Sequence, residues 1–107
     1  MPKYLIEASY TAEGLKGLQK EKAASRRAVV SKMVKDLGGK VEAFYWALGE
    51  RDAIVVLDLP DTNTATALAL TVSSTGLVHT KTTRLLTADE VDEAFQKTVH
   101  YRPPGGR

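Results

Sequence analysis

Cysteine is absent from this 107-residue chain, which removes disulfides, thiolate metal sites and cysteine nucleophiles from consideration. Histidine occurs only at positions 79 and 100, with no paired spacing, so no metal site is expected. No apolar run approaches the ~18 residues that cross a bilayer. The N-terminal MPKYLIEASY is too short in apolar residues for a signal-peptide core, and Glu7 interrupts it. A soluble cytoplasmic protein without a membrane partner is therefore expected. Neither Gly14-x-x-Gly17 nor Gly38-Gly39 is followed by the Lys-Ser/Thr of a phosphate loop, and no GxGxxG occurs. No cofactor is expected. Aromatic residues make up only 7% of the chain, yet three of them, Phe44, Tyr45 and Trp46, stand side by side.

What is present suits one globular domain. A chain of this length buries roughly 65% of its unfolded surface, enough for a single core. Apolar residues at 43% and charged residues at 26% are ordinary for such a domain. The net charge of +2 hides an asymmetry: residues 1–51 carry ten Lys/Arg against six Asp/Glu, and residues 52–107 five against seven. The excess sits at Lys16, Lys20, Lys22, Arg26, Arg27, Lys32 and Lys35. Helical placement scatters these groups, Glu13, Glu21 and Asp36 dilute them, and no aromatic platform is interleaved. They read as a solvated helix surface, not as a nucleic-acid interface.

Along the chain, KYLIEASY (3–10) is a short run of strand formers. Thr11 offers a helix N-cap, but Gly14 and Gly17 each weaken the helix by ~1 kcal/mol relative to Ala. A short or broken first helical piece is expected, then a sturdier helix from about Ala23 to Leu37. Its stripe is Ala23, Arg27, Val30, Val34 and Leu37, apolar except for Arg27. Gly38-Gly39 ends that helix, one of the two in the left-handed conformation. KVEAFYWAL (40–48) and DAIVVLDL (52–59) read as strands joined by a tight turn at 49–51. Asp61 or Thr62 caps a helix to about Ser74, and LVHTKTTRLL (77–86) is a fourth strand. Thr87 to Glu90 is a capping box opening a last helix with Val91, Ala94 and Phe95. That helix is too short to stand alone in water and should dock at a sheet edge or a cavity mouth. Residues 1–99 thus form one domain, and HYRPPGGR (100–107) a flexible tail.

The order β-α-β-β-α-β plus a terminal helix is that of a ferredoxin-like α+β sandwich, a four-stranded antiparallel sheet with helices on one face. Right-handed crossovers place the first strand centrally and the second at an edge. Strict alternation in the second strand puts Val41, Ala43, Tyr45 and Ala47 on one face and Glu42, Phe44, Trp46 and Leu48 on the other. The third strand sets Ala53, Val55, Leu57 and Leu59 against Ile54, Val56 and Asp58. Neither strand has a clean polar face, although one side of such a sheet ordinarily meets water. An apolar patch of that size calls for a cover, and a second copy, sheet against sheet, supplies one.

The run LGGKVEAFYWALGERDAIVVLDLPD, with TAEG after the first strand and GLVHTKTTRLL as the last, resembles the GYD-domain family of small bacterial proteins. The resemblance extends over about residues 1–97, and its most specific part is Phe44-Tyr45-Trp46 followed by Gly49 and Asp52. The chain departs from the family at the tripeptide that names it, with Glu50-Arg51-Asp52 where Gly-Tyr-Asp would stand. No role of that tyrosine passes to Arg51. The resemblance implies a dimeric α+β barrel and no established reaction.

Several residues are candidates for chemistry. His79 lies in the fourth strand with Lys81 on the same face, and an imidazole there can serve as a general base or a ligand anchor. The alternative is a surface or interface histidine beside a lysine. Tyr45 and Trp46 can wall a pocket for a flat organic ligand or simply pack. Asp52 joins that ligand-binding set, or else caps the hairpin or pairs with Arg51. Asp58, inside an apolar strand, needs a partner if buried, with Lys3, Arg84 and Lys81 in reach. The leading expectation is a homodimer, or a higher homo-oligomer, that binds a small molecule between sheet and helices. A cofactor-independent oxygenase or isomerase with His79 as base, and a protein–protein interaction module, are the alternatives.

Overall fold

A computed structural model describes residues 1–106; Arg107, the last residue of the expected tail, lies outside them. The elements run β1 (Lys3–Tyr10), α1 (Ala12–Glu21), α2 (Ala23–Asp36), β2 (Lys40–Trp46), β3 (Ala53–Asp58), α3 (Thr62–Ser74), β4 (Val78–Leu85) and α4 (Ala88–Ala94). All four strands pair antiparallel in the order β2-β3-β1-β4. This is the ferredoxin-like α+β arrangement, with β1 central and β2 at an edge.

Alternation along the strands sorts the sheet into two faces. Tyr4 and Ala8 of β1, Phe44 of β2, and Ala53, Val55 and Leu57 of β3 are buried, and they meet Val34 of α2 and Ala65 and Leu68 of α3. Leu57, Leu59 and Val34 are the most completely buried large side chains. The opposite face carries Leu5, Glu7, Ile54, Val56, Tyr45 and His79, and no helix covers it. Asp58 finds its partner there. Lys3 donates to Asp58 at 2.8 Å and to Glu42 at 2.5 Å, and these bonds, Asp58 first, raise the Lys3 pKa.

Strict alternation fails at one point in β2. A bulge between Val41 and Ala43 leaves Val41 opposite Leu57 and Ala43 opposite Val56. The extra residue turns Val41 to the core side, with Phe44, and frees Glu42 to reach Lys3. Val41 therefore does not share a face with Ala43 and Tyr45.

The first helical segment also differs from expectation. Its glycines do not break it, because α1 runs unbroken past both. A Cβ on Gly14 would stand 2.1 Å from the Leu77 carbonyl oxygen, so Gly14 is what lets α1 lie against the loop before β4. Thr11 fixes that approach: its N–H donates to the same carbonyl at 2.9 Å, and its hydroxyl accepts from Gly14 N–H at 3.1 Å. The interruption comes instead at Lys22, with φ 80° and ψ 151°, between α1 and α2. The α2 stripe is rotated as well. Arg26, Val30, Met33 and Val34 face the sheet, while Ala23, Arg27 and Leu37 are exposed. Val29, Val30, Met33, Val34 and Leu37 spread apolar character over a wide arc, so spacing alone did not single out one face. Gly38, at φ 85°, supplies the expected left-handed end.

Helix α4 does not dock. Its capping box is formed, and Arg84 donates to Glu90 at 2.8 Å, but none of its residues is buried. Its contacts with other elements are at most marginal, and Phe95 is 79% exposed. The radius of gyration is 17.3 Å and the longest extent 58 Å, where a compact chain of this length would have about 13 Å. Local capping and one ion pair hold the helix, and it buries none of its residues against the described chain.

Candidate functional site

The helices do not close completely over the inner sheet face. Between them lies a cavity of about 450 Å³, within the range of small-molecule sites. The sheet contributes Ile6, Phe44 and Val55 to its wall, α2 contributes Val30 and Met33, and α3 contributes Leu68. The fully buried core, Leu57 and Leu59 with Val34, lies toward the Lys3 end of the sheet. The cavity extends to the other end, where β1 finishes at Tyr10.

That end is polar and ordered. Arg26 of α2 reaches back across the Lys22 joint to Glu21 of α1 in a two-pronged pair, Nε to Oε1 at 2.6 Å and Nη2 to Oε2 at 2.9 Å. Both residues, with Tyr10, Thr75 and Thr80, line the cavity. Burial pushes the Tyr10 phenol's pKa up; the neighbouring Arg26 charge opposes this, and Glu21 and Asp52 reinforce it. The phenol accordingly keeps its proton at neutral pH. Aromatic rings close the corner. Trp46 lies with its ring 5.9 Å from that of Tyr10 and 5.4 Å from that of Phe44, tilted to both, the offset geometry that aromatic pairs favour.

The expected site residues divide between two faces. Trp46 stands beside the cavity's polar end, 37% exposed. Asp52 is tied to the same corner through the backbone. Its carboxylate accepts the Tyr10 N–H at 2.8 Å, its own N–H donates to the Ala8 carbonyl at 2.9 Å, and its carbonyl accepts the Ala47 N–H at 2.8 Å. Asp52 therefore anchors the β2–β3 turn to β1 and does not pair with Arg51, whose guanidinium donates to Ser9 Oγ at 3.5 Å. Tyr45 and His79 lie on the opposite face, Tyr45 opposite Ile54 and His79 opposite Ser9 on the edge strand. The fold brings neither to the cavity. Tyr10, Glu21 and Arg26 were missed by sequence reasoning. The signal available was slight: a tyrosine closing the first strand, and an acid and an arginine five residues apart around a helix junction. Among the described residues no group of three or more histidines and carboxylates is placed to hold a metal ion, and no helix is long and apolar enough to cross a membrane.

The family model of the GYD domain matches residues 4–95, and the chain belongs to that family. No curated protein and no solved structure matches it.

Proposed function

We propose that this GYD-domain protein is a small-molecule-binding protein that holds its ligand between the inner face of the sheet and helices α1, α2 and α3. The observation that carries this reading is the 450 Å³ cavity, apolar along its length and polar at one end. A ligand there gains affinity from apolar burial, roughly 25 cal/mol per Å² removed from water, and orientation from the few polar groups. The test is binding of a naphthalene-type fluorescent dye to the parent and to Val30→Trp, in which the indole fills the cavity from its α2 wall. Saturable binding by the parent and its loss in the variant are expected. No saturable binding by the parent, or equal binding by both, would refute the reading.

We further infer that the protein works as a homodimer joined through its open sheet face. Leu5, Ala43, Tyr45, Ile54 and Val56 are neighbours there by register, and Tyr45 is 70% exposed. Charges at the rim are matched within the chain: Lys3 engages Glu42 and Asp58, and Glu7 lies opposite Lys81. Over this part of the face an identical copy therefore meets balanced charge, which suits a two-fold sheet-on-sheet contact. Tyr45→Asp should convert a dimeric parent to monomer in sedimentation, because an unpaired carboxylate buried in that contact costs several kcal/mol. A monomeric parent, or a variant still dimeric, would overturn the inference.

A further inference from the structure

We propose that the polar end of the cavity recognises a neutral carbonyl oxygen on an otherwise apolar, ring-sized molecule. The inference rests on the small-molecule reading above and adds the chemical class of the ligand.

Glu21 commits one carboxylate oxygen to Arg26 Nε and the other to Nη2. Arg26 has five N–H donors in a fixed fork, and this pairing leaves both N–H groups of Nη1 without a partner among the described residues. The Tyr10 O–H likewise has none there. What the cavity offers at this end is chiefly unpartnered donors: each Glu21 oxygen already accepts one bond from Arg26, and the Thr75 hydroxyl donates to the Val72 carbonyl and accepts the Leu77 N–H. Such a set complements an acceptor oxygen better than an ammonium or amide donor, for which only the remaining Glu21 lone pairs and the Thr80 hydroxyl oxygen are left.

Charge decides which acceptor. Arg26 and Glu21 cancel, and the phenol stays protonated, so the end as a whole is neutral. A ligand carboxylate entering it must shed water and then meets the Glu21 carboxylate at close quarters. A ketone, aldehyde, quinone or lactone oxygen carries no such cost and still gains a charge-assisted bond from the guanidinium. The body of the ligand follows from the walls. Phe44, Met33, Val30 and Leu68 are apolar, and Phe44 and Tyr10 bring aromatic rings to the lining, with Trp46 packed against both.

The chain supplies its own reporter, since Trp46 is its only tryptophan. Quenching of its emission gives dissociation constants for three probes of one shape: 2-acetylnaphthalene, 2-ethylnaphthalene and 2-naphthoate. The acetyl compound should bind the parent roughly tenfold tighter than the ethyl compound, a difference of about 1.4 kcal/mol, and tighter than the carboxylate. In Tyr10→Phe that ratio should shrink. In the double variant Glu21→Gln/Arg26→Gln, which leaves no unpaired charge, it should fall to near one, with circular dichroism confirming the fold. Equal affinity of the parent for the acetyl and ethyl compounds overturns this inference while the cavity reading stands. Tightest binding by 2-naphthoate overturns it in favour of an anion site. Binding of none of the three overturns both.

Discussion

Replacing Lys22 by glycine should stabilise the protein, although glycine within a helix ordinarily does the reverse. Lys22 has φ 80° and ψ 151°, a region open essentially to glycine alone and costing other residues about 1–3 kcal/mol. It is held there from both sides. Its N–H donates to the Leu18 carbonyl at 2.7 Å, closing α1, and its carbonyl accepts the Arg26 N–H at 3.0 Å, opening α2. The Glu21–Arg26 pair spans the joint and adds a third tie. The side chain itself is exposed and makes no hydrogen bond or ion pair among the described residues, so its removal should cost no more than about 0.5 kcal/mol. Glycine also raises the entropy of the unfolded chain by about 0.4–1 kcal/mol. The relieved strain exceeds these losses over most of its range, leaving a net gain near 1 kcal/mol. For a domain of this size that raises Tm by roughly 4–8 °C. Lys22→Ala, which loses the same side chain but keeps a Cβ, should show no gain. Calorimetry on the parent and both variants decides the matter. A Lys22→Gly that melts at or below the parent, or an alanine variant that gains as much, would refute the strain argument.

Acid should weaken the cap of the terminal helix. The Glu90 carboxyl is held at about 2, below its ordinary 4.5, chiefly by the Thr87 backbone N–H and next by Arg84. Because the folded value is the lower one, the contribution to α4 is complete above pH 4.5 and lost as pH falls through 2. Carbon-detected NMR of Glu90 should give a midpoint near 2, moving partway upward in Arg84→Gln; a parent midpoint near 4.5 would contradict the capping geometry. Ending the chain at Leu86 should leave Tm within a few degrees of the parent's, since the helix removed has no buried residue and its ion pair to Arg84 is exposed. A fall of ten degrees or more would mean that α4 packs on another subunit.

The parts of the fold that could be read from the sequence are those in which one local signal acts alone. Asp61 accepts from Thr64 N–H at 2.8 Å and Thr87 forms its capping box, because a cap requires only its own next three residues. Strand order followed from the handedness of crossovers and not from any side chain. The departures arose where a distant partner decides. Gly14 and Gly17 lower helix propensity, but contact between α1 and the Leu77 carbonyl outweighs that loss. The bulge at Glu42 accompanies a contact with Lys3, a residue 39 positions away in the chain. Helix α4 was expected to dock because its stripe is apolar, yet amphipathic pattern tells only that a surface is wanted and not that the same chain provides it.

The candidate site was legible in proportion to how much of it lies on strands. Tyr45 and Trp46 are adjacent, and alternation sends them to opposite faces, so only one of the two can stand at the cavity. Which one follows from the register of β2, and the bulge sets that register. A shift by one residue would have exchanged them. His79 was singled out for its chemistry, but chemistry does not fix a face; its pairing with Ser9 on the open side does. Arg26 was counted among scattered surface bases, and only the turn of the chain at Lys22 brings it to Glu21. The residues proposed to read the ligand are thus the ones a one-dimensional pattern represents worst. They come from a strand end and from two helices, and a backbone conformation that sequence does not advertise sets the angle between those helices. The same conformation ties the helix joint to the polar end of the cavity. The Glu21–Arg26 pair is one of the ties that hold Lys22 in its strained conformation, and both of its members line the cavity.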